Sequence, residues 1–586
     1  MYLNIMKARC LCGLTFCCLI MLLGPGGIAP SQASSTPWVD ASSFPSFTQC
    51  VKSSKSAGKT ILISKPMRVA SLTIPANRDL RFVNGGSLLV TAKQTLTIKG
   101  TIDAPLIKIF DGYGLVRFQN GNVRQIYPQW WGAKGDGYHD DTNAIQRAIN
   151  AKTGYSTIFF PSGAYYCTST ITIKNDRTHL VGSGDYSTTF IFNPSRAAVL
   201  FNFVGVTPQT TLYSCSLTHM GFVGMGDSRK VALQMVNTSE MVVENISIYS
   251  SWHGSGSIGI LMHGRELTMI RRATIFADRP IVIGNNLSKG PEGFIDSDHL
   301  HMQDLYLGPQ EPDEACIHIA SGVNLTNFVL DGTNSFVTAK YGIYWNDTSS
   351  DGTSNNMTIK NVRVEQSSDS SGYALYLSHN YGLQNLIIEN VTSDTISNGF
   401  FLRNCRFVTL LNCLVQTTTG EAVNADNSCD EITFLNCLFQ EGSKALLPGL
   451  AQQFGLFKSN SAAPIPATSF YIRDQGSSAG NNISVFGSKT WSHSGMLDND
   501  ETFMLPAGNG TGRKASIITV SASGENGITS GGMVIDSPEA ANALSGTNNF
   551  GIGNLPGKLT VLHEDMTYLF NQTGTPLDYV VTVSWN

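Results

Sequence analysis

Three acids recur at matching places in a repeated motif: Asp331 in NFVLDG, Glu365 in NVRVEQ and Asp394 in NVTSD, with Arg363 two residues before Glu365. Each acid stands four residues after an Asn, on the side that strand alternation turns to solvent. If the motifs stack, Asp331 and Glu365 lie about 5 Å apart, as do Glu365 and Asp394, and the outer pair is separated by about twice that. Carboxylates so close raise one another's pKa, which is tolerated where a cation or a shared proton is wanted. The row suits a retaining glycosidase, or an inverting one if the wider pair is used. It also suits a lyase, with Asp331, Glu365 and Asp394 holding Ca2+ against a uronate while Arg363 or a neighbour removes the ring proton. A plain solvated row of polar side chains is the alternative.

A second-choice row, His318, His379, Arg403 and Asp426, lies near the ends of the preceding strands. The segment FIDSDHLHMQD adds Asp296, Asp298, His299 and His301 at metal-like spacing. On a strand, however, Asp298 and His299 face opposite sides, which favours a polar surface segment. Trp252, Tyr306, Trp345 and Tyr373 are the rings on which a sugar could stack. Packing beneath a turn is an equal alternative for each of them.

The elements that would position these residues are short repeated strands. MVVENISIYS, HMQDLYLG, VNLTNFVLDG, MTIKNVRVEQ, LIIENVTSD, VTLLNCLVQ and ITFLNCLFQ each place a polar hinge between runs of alternating apolar residues. With hinges at Asn245, Asp304, Asn327, Asn361, Asn390, Asn412 and Asn436, spacings from Asn327 onward are 34, 29, 22 and 24 residues. Three short strands and three turns per coil need about this length, so the reading is a parallel β-solenoid. Stacked Asn side chains would hydrogen-bond from coil to coil. Cys405 and Cys429, then Cys413 and Cys437, fall in the same register, and parallel stacking favours free thiols over bridges.

The remaining composition narrows the partners. The 39 basic and 43 acidic side chains are nearly balanced, so the electrostatic footprint of a nucleic-acid binder is missing. Residues 1–33 read as a signal peptide: Lys7 and Arg9 precede a short apolar run, and Ser31-Gln32-Ala33 forms a small-residue cleavage site. No later apolar run is long enough to span a membrane, so a secreted or periplasmic chain is expected. Residues 34–126 read as extra coils or a small β segment, 446–499 as linker and short strands, and 500–586 as a C-terminal β domain that could bind glycan, trimerise the chain or cover the last coil. Both a monomer and a homotrimer are compatible with these signals.

The stretch GAKGDGYHDDTNAIQRAINA contains the only Asp-Asp pair. Ala144, Ile145, Ala148 and Ile149 share one helical face, and Asp140, Asp141 and Thr142 supply oxygens and negative charge at its start. Gly135 and Gly137 flank Asp136 and let the chain turn sharply. These residues therefore read as a structural cap. Together with STIFFPSGAYYCTSTITI and THLVGSGDYSTTFIF, the stretch resembles the pectate-lyase superfamily domain of rhamnogalacturonase-like and epimerase-like proteins and many phage tailspikes. The resemblance spans residues 127–445 in outline. It implies a right-handed parallel β-helix closed at its amino-terminal end by the helix, and an activity, where one exists, on polysaccharide. The Asn-Thr-Asp of polygalacturonases is missing, so hydrolysis by that subfamily's residues is not implied.

The expectation is thus an all-β, exported, polysaccharide-active chain with no resident cofactor except a possible Ca2+. It would cleave or modify an acidic polysaccharide by lyase or glycosidase chemistry. The competing expectations are a noncatalytic glycan-binding or surface-attachment protein, or a tailspike-like depolymerase.

Overall fold

The computed structural model describes residues 37–441 apart from 120–121, 155, 206–209, 255, 285–294, 312, 339, 349–353, 367–371, 397, 418–422, 426–429 and 436–437. Beyond these it describes 452–453, 471–474, 483–485, 490–505 and 516–585, less 525–528, 537–540, 547–549, 553, 557, 564–566 and 574. Strands of residues 38–118 already run parallel in three separate ladders. Thr60–Ile63 pairs with Asp79–Phe82, Pro66–Val69 with Ser87–Val90, and Leu72–Ile74 with Thr95–Ile98. Each coil therefore contributes one strand to each ladder.

From Gln125 onward the winding continues in parallel register. Leu300, Leu386 and Val408 stack inward with Met302, Leu330, Ile359, Ile388 and Leu410, all at most 1% exposed. One continuous apolar core runs from Ala41 to Val423. The period-two pattern produces this because each alternate side chain of a coil points to the axis and meets its equivalent on the next.

The opening helix, Thr142–Ala151, lays Ile145, Ala148 and Ile149 against the turn Pro128–Trp131 and the strands Leu115–Phe118 and Ile171–Ile173. Its two aspartates are structural. Asp140 accepts the Thr142 backbone N–H at 3.0 Å and the Thr168 hydroxyl at 2.6 Å, while Asp141, 1% exposed, accepts the backbone N–H groups of Lys134 and Gly135 at 2.6 and 2.9 Å. Asp136 folds back onto His139 at 2.7 Å. Gly135 and Gly137 adopt φ of +61° and +82°, which side-chain-bearing residues resist.

The hinges form two ladders rather than one. Left-handed residues come in pairs five apart: Glu240/Asn245, Leu267/Arg272, His299/Asp304, Asn356/Asn361, Asn385/Asn390 and Phe407/Asn412, each with φ between +50° and +56°. Asn327 belongs to the first ladder, where Asn356 Nδ2 donates to its Oδ1 at 3.2 Å and Asn385 Nδ2 to Asn356 Oδ1 at 3.2 Å. In the second ladder Asn390 Nδ2 donates to Asn361 Oδ1 at 2.7 Å, and the residue of Asn327's own coil at that bend is Gly332, φ +77°. The expected hinge at Asn327 is therefore displaced by five residues from the others, with consequences for the acid row.

The C-terminal residues form sheets that are antiparallel except where Phe550–Ile552 runs parallel to Leu559–His563. Ser516–Gly524 lies between Thr529–Asp536 and Leu577–Trp585, and Thr490–Leu497 pairs with the outer side of Leu577–Trp585. Their core is separate, built from Ile518, Val520, Leu559, Val561, Leu569, Leu577 and Val581. Among the described residues no helix is long and apolar enough to cross a membrane.

Candidate functional site

The displaced hinge breaks the acid row. Asp331 pairs with Gln303 on the coil before, whereas Glu365 sits over Val337 and under Asp394. Asp331 faces the bend, where its carboxylate takes Lys360 Nζ at 3.1 Å, Asn361 Nδ2 at 2.8 Å and the Gly332 backbone N–H at 2.6 Å. Burial pushes its pKa up, but these contacts outweigh burial and hold it below the usual carboxylate value. Asp331 is a ladder residue, and a three-acid Ca2+ site with Glu365 and Asp394 is not assembled. Among the described residues no group of three or more His, Cys, Asp or Glu side chains is arranged to hold a metal. Glu365 and Asp394 do stand on adjacent coils in register, and Arg363 pairs with Glu365 at 2.8 Å; the Asp394 side chain lies outside the described residues.

The second row also divides. His379 is 1% exposed and held by structure: its Nδ1 accepts the Gly382 backbone N–H at 3.2 Å, and its Nε2 faces Asp347 at 3.5 Å. Its acceptor nitrogen is already used, so it cannot serve as a base. Asp426 lies outside the described residues, as do Cys429 and Cys437; Cys405 and Cys413 are buried free thiols. Trp252 and Trp345, both 0% exposed, are core rings and cannot stack on a sugar. Tyr306 is 44% exposed and packs edge-on against Phe276 at 5.0 Å. Asp298 and His299 meet at 2.8 Å, because the left-handed φ of His299, +54°, interrupts the alternation that would have separated them. Asp298 also accepts Asn327 Nδ2 at 2.9 Å, and His301 is exposed; the Asp296 side chain lies outside the described residues.

The remaining predicted residues, His318, Tyr373 and Arg403, fall together on one face. The strands Arg279–Ile283, Ala315–Ile319, Tyr341–Asn346, Tyr373–Glu389 and Asn398–Leu411 pair in parallel so that Val282, His318, Tyr344, Tyr376 and Phe401 form one outward row. Inward neighbours Ile317, Ile343, Leu375 and Phe400 fix that orientation, being at most 1% exposed. Tyr344 and Tyr376 stack at 5.1 Å, Tyr376 and Phe401 at 4.5 Å, and Tyr341 and Tyr373 flank them at 4.6 Å from Tyr344 and 5.5 Å from Tyr376. All five rings are half-buried, each with surface left to solvent. From His318 to Phe401 the row covers three strand spacings, about 14 Å. Arg403, exposed, extends from the strand that carries Phe401.

At the His318 end the row meets a charged cluster. The His318 ring lies 5.3 Å from that of Tyr344, and its Nδ1 is 3.6 Å from Glu314 Oε2; the other oxygen of Glu314 takes Arg279 Nη2. Arg279, Glu314 and His318 are 25%, 16% and 21% exposed, a partly desolvated setting in which charge pairs gain strength. Burial raises the Glu314 pKa, but His318 and Arg279 outweigh it and keep the carboxyl below its ordinary value. With Nδ1 turned to this carboxylate, Nε2 is the ring atom left to exchange a proton. Glu314, Arg279, Tyr344, Tyr376 and Phe401 escaped sequence reasoning. The signal for the three rings was the repeated apolar-aromatic-apolar triplet in CIHI, GIYW, ALYL and GFFL, where the middle residue is the outward one; Arg279 and Glu314 had none.

Parallel coils that carry an outward row of rings ending in the half-buried Arg279–Glu314–His318 cluster define a parallel β-helix with an aromatic face. Residues 129–204 match the family described as rhamnogalacturonase A/epimerase, pectate lyase-like. The chain is a parallel β-helix protein, and the segment that matches the family model comprises its opening helix and first coils. Similar solved structures include PfbA, a surface adhesin of Streptococcus pneumoniae, at 13% identity and TM-score 0.34, covering 54% of this chain and 92% of that one. Another is the A-module of the mannuronan C-5 epimerase AlgE6 of Azotobacter vinelandii, at 14% identity and TM-score 0.34, covering 55% and 96%. A third is the tailspike gp49 of Acinetobacter baumannii bacteriophage Fri1, a capsular polysaccharide depolymerase, at 10% identity and TM-score 0.35, covering 79% and 88%. No curated protein matches the sequence.

Proposed function

We propose that this protein is an exported enzyme that binds an acidic polysaccharide along the row His318, Tyr344, Tyr376, Phe401 and cleaves it by elimination at a uronate. The observation that carries the reading is the in-register continuity of the rings with the Arg279–Glu314–His318 cluster. Sugar rings have one apolar face, which stacks on aromatic side chains while their hydroxyls stay wet. Each residue then has a role. Arg279 neutralises the uronate carboxylate, which acidifies the hydrogen on the adjacent ring carbon. His318 Nε2 takes that proton, and Glu314 stabilises the imidazolium that results. The electron pair forms the ring double bond as the glycosidic C–O bond breaks, and the departing oxygen takes a proton from Tyr344, the nearest phenol on the row.

Glycosidase chemistry fits this face less well, because it needs two facing carboxylates, and both oxygens of Glu314 are engaged, one by Arg279 and the other by the His318 ring. Glu365, the other acid with a partner in register, stands on a different side of the coil. The test is incubation of the purified protein with uronate-rich and neutral polysaccharides, following new reducing ends and unsaturated-uronate absorbance. Both should rise together on a uronate-rich substrate and on no neutral one. Reducing ends without absorbance would establish a hydrolase instead. Binding with neither would leave a glycan-attachment protein, once product NMR had excluded epimerisation.

A further inference from the structure

A second set of rings lies on the sheet that follows the second bend, away from the His318 face. There the strands Val242–Trp252, Ile258–Ala277, Ile295–Pro309 and Asn334–Thr338 pair in parallel. Their register puts Tyr249, Phe276, Gly308 and Val337 in one outward row and Thr274, Tyr306 and Ser335 in the row beside it. Ile248, Ile275, Leu307 and Phe336, all 0% exposed, fix that orientation from the inside. Four strands cover three spacings, about 14 Å.

The rings form two corners. A Cβ on Gly308 would fall 2.5 Å from Phe276 Cε1, so the bare backbone of one coil makes room for the ring of the coil before. The φ of Gly308 is not left-handed, so the missing side chain is what matters there. Phe276 and Tyr306 then meet at 5.0 Å with their planes 80° apart, and Tyr306 is 44% exposed. One coil away, Tyr186, 77% exposed, meets Tyr249 at 6.0 Å and 53°. Tyr186 arrives on a loop that hydrogen bonds fasten to this sheet: Tyr249 Oη donates to the Asp185 carbonyl at 3.1 Å, and Ser247 Oγ to Asp185 Oδ2 at 2.7 Å. Tyr249, Thr274, Phe276, Ser335 and Val337 are half-buried, each with surface left to solvent.

None of these outward residues carries a charge. Charge returns at the borders, as Asp185 beside Tyr186 and as the Arg363–Glu365 pair on the coil after Ser335 and Val337. An anionic chain would meet the Asp185 carboxylate at one end and a guanidinium already paired with Glu365 at the other. A neutral sugar finds rings for its apolar face and the Thr274 and Ser335 hydroxyls for its own. Separate corners with hydroxyls between them also differ from the continuous apolar patch that marks a protein interface. We infer that the strip Tyr186, Tyr249, Phe276, Tyr306 is a second glycan-binding site, selective for neutral sugar units and separate from the face that carries Arg279, Glu314 and His318. It uses no step of the elimination proposed above, and it holds the protein on neutral polysaccharide whatever the His318 face does.

Affinity gel electrophoresis of the full chain tests this, with dextran, xyloglucan and galactomannan as neutral polymers and polygalacturonate as the acidic one. Retardation by at least one neutral polymer is expected. Tyr306→Ala and Tyr186→Ala should each weaken it by about fivefold to tenfold, and Tyr376→Ala should leave it unchanged. Thr274→Glu keeps every ring and adds a charge to the strip, so it should weaken the same binding even if a ring variant does not fold. Polygalacturonate binding should be the same in Tyr306→Ala, Tyr186→Ala and wild type. A wild type that no neutral polymer retards would overturn the inference and leave the strip as a surface for another protein. Retardation that persists unchanged in all three strip variants, or that Tyr376→Ala abolishes, would also overturn it, the latter by placing neutral glycan on the His318 face. Loss of polygalacturonate binding alone would remove the function proposed for that face and leave this site standing.

Discussion

Asn361 and Asn390 occupy the same left-handed bend on successive coils, and Nδ2 of Asn390 donates to Oδ1 of Asn361 at 2.7 Å. Asn361 in turn donates to Asp331 at 2.8 Å, so one side chain both tolerates a φ of +55° and links three coils. Asn361→Ala should cost about 2 kcal/mol, from the conformational penalty of the left-handed region and the broken hydrogen bonds. Asn361→Gly should recover the conformational share, since glycine accepts that region freely. Urea denaturation of the two variants checks the order; equal losses would show that the bend is not conformationally demanding.

Trp345 and Tyr376 look alike in sequence and should differ sharply on substitution. Trp345, 0% exposed, should lose about 3–5 kcal/mol of stability on change to alanine, because a large cavity is left in the core. Tyr376→Ala should cost less stability, about 1–2 kcal/mol from the lost contacts with Tyr344 and Phe401, and should weaken polysaccharide binding by up to about tenfold, one sugar-stacking surface being lost. Thermal unfolding beside a glycan titration separates them.

His379 makes stability depend on pH in a definite direction. Burial lowers its pKa, and the opposing pull of Asp347 does not restore it. The unfolded chain therefore binds a proton more readily than the folded one. The stabilising contribution is complete above the ordinary histidine value, about 6.5, and is lost as pH falls from there through the lowered folded value, at up to about 1.4 kcal/mol per unit. His379→Asn should flatten the stability profile over that interval. A wild-type profile flat from neutral pH down to the carboxylate range would contradict the burial of a neutral ring.

Asp331→Asn should reduce stability and leave polysaccharide turnover unchanged, since the carboxylate serves Lys360, Asn361 and the Gly332 N–H. Comparing unfolding midpoints with initial rates gives the answer; loss of turnover in a normally stable variant would return Asp331 to the site.

The scaffold was readable because the core demands the same alternation on every coil, so MTIKNVRV and LIIENVTS advertise equivalent strands. The register of VNLTNFVLDG was not. It holds a polar residue at the first bend, Asn327, while glycine replaces asparagine at the second, Gly332, so the visible Asn was matched to the wrong ladder. That slip of five residues moved Asp331 into a row it does not occupy. The aromatic face was hidden for another reason. His318, Tyr344, Tyr376 and Phe401 are not one residue type and lie 26, 32 and 25 residues apart, so the short triplet that marks each is aligned with the others only by strand pairing. Arg279 and Glu314 belong to no repeated motif at all. For Trp252 and Trp345 stacking and packing stood as equal alternatives, because ring size says nothing about which face of a strand is covered; both are core rings.

The location of the chemistry is tested most directly by kcat/KM of His318→Gln and Glu365→Gln on the preferred uronate-rich substrate, measured on the same day against wild type. The His318 variant should fall by about 100-fold or more, as expected for removal of a general base, while the Glu365 variant keeps its activity. Full activity in the His318 variant with collapse in the Glu365 variant would move the site from the aromatic face to the Arg363–Glu365–Asp394 side of the coil.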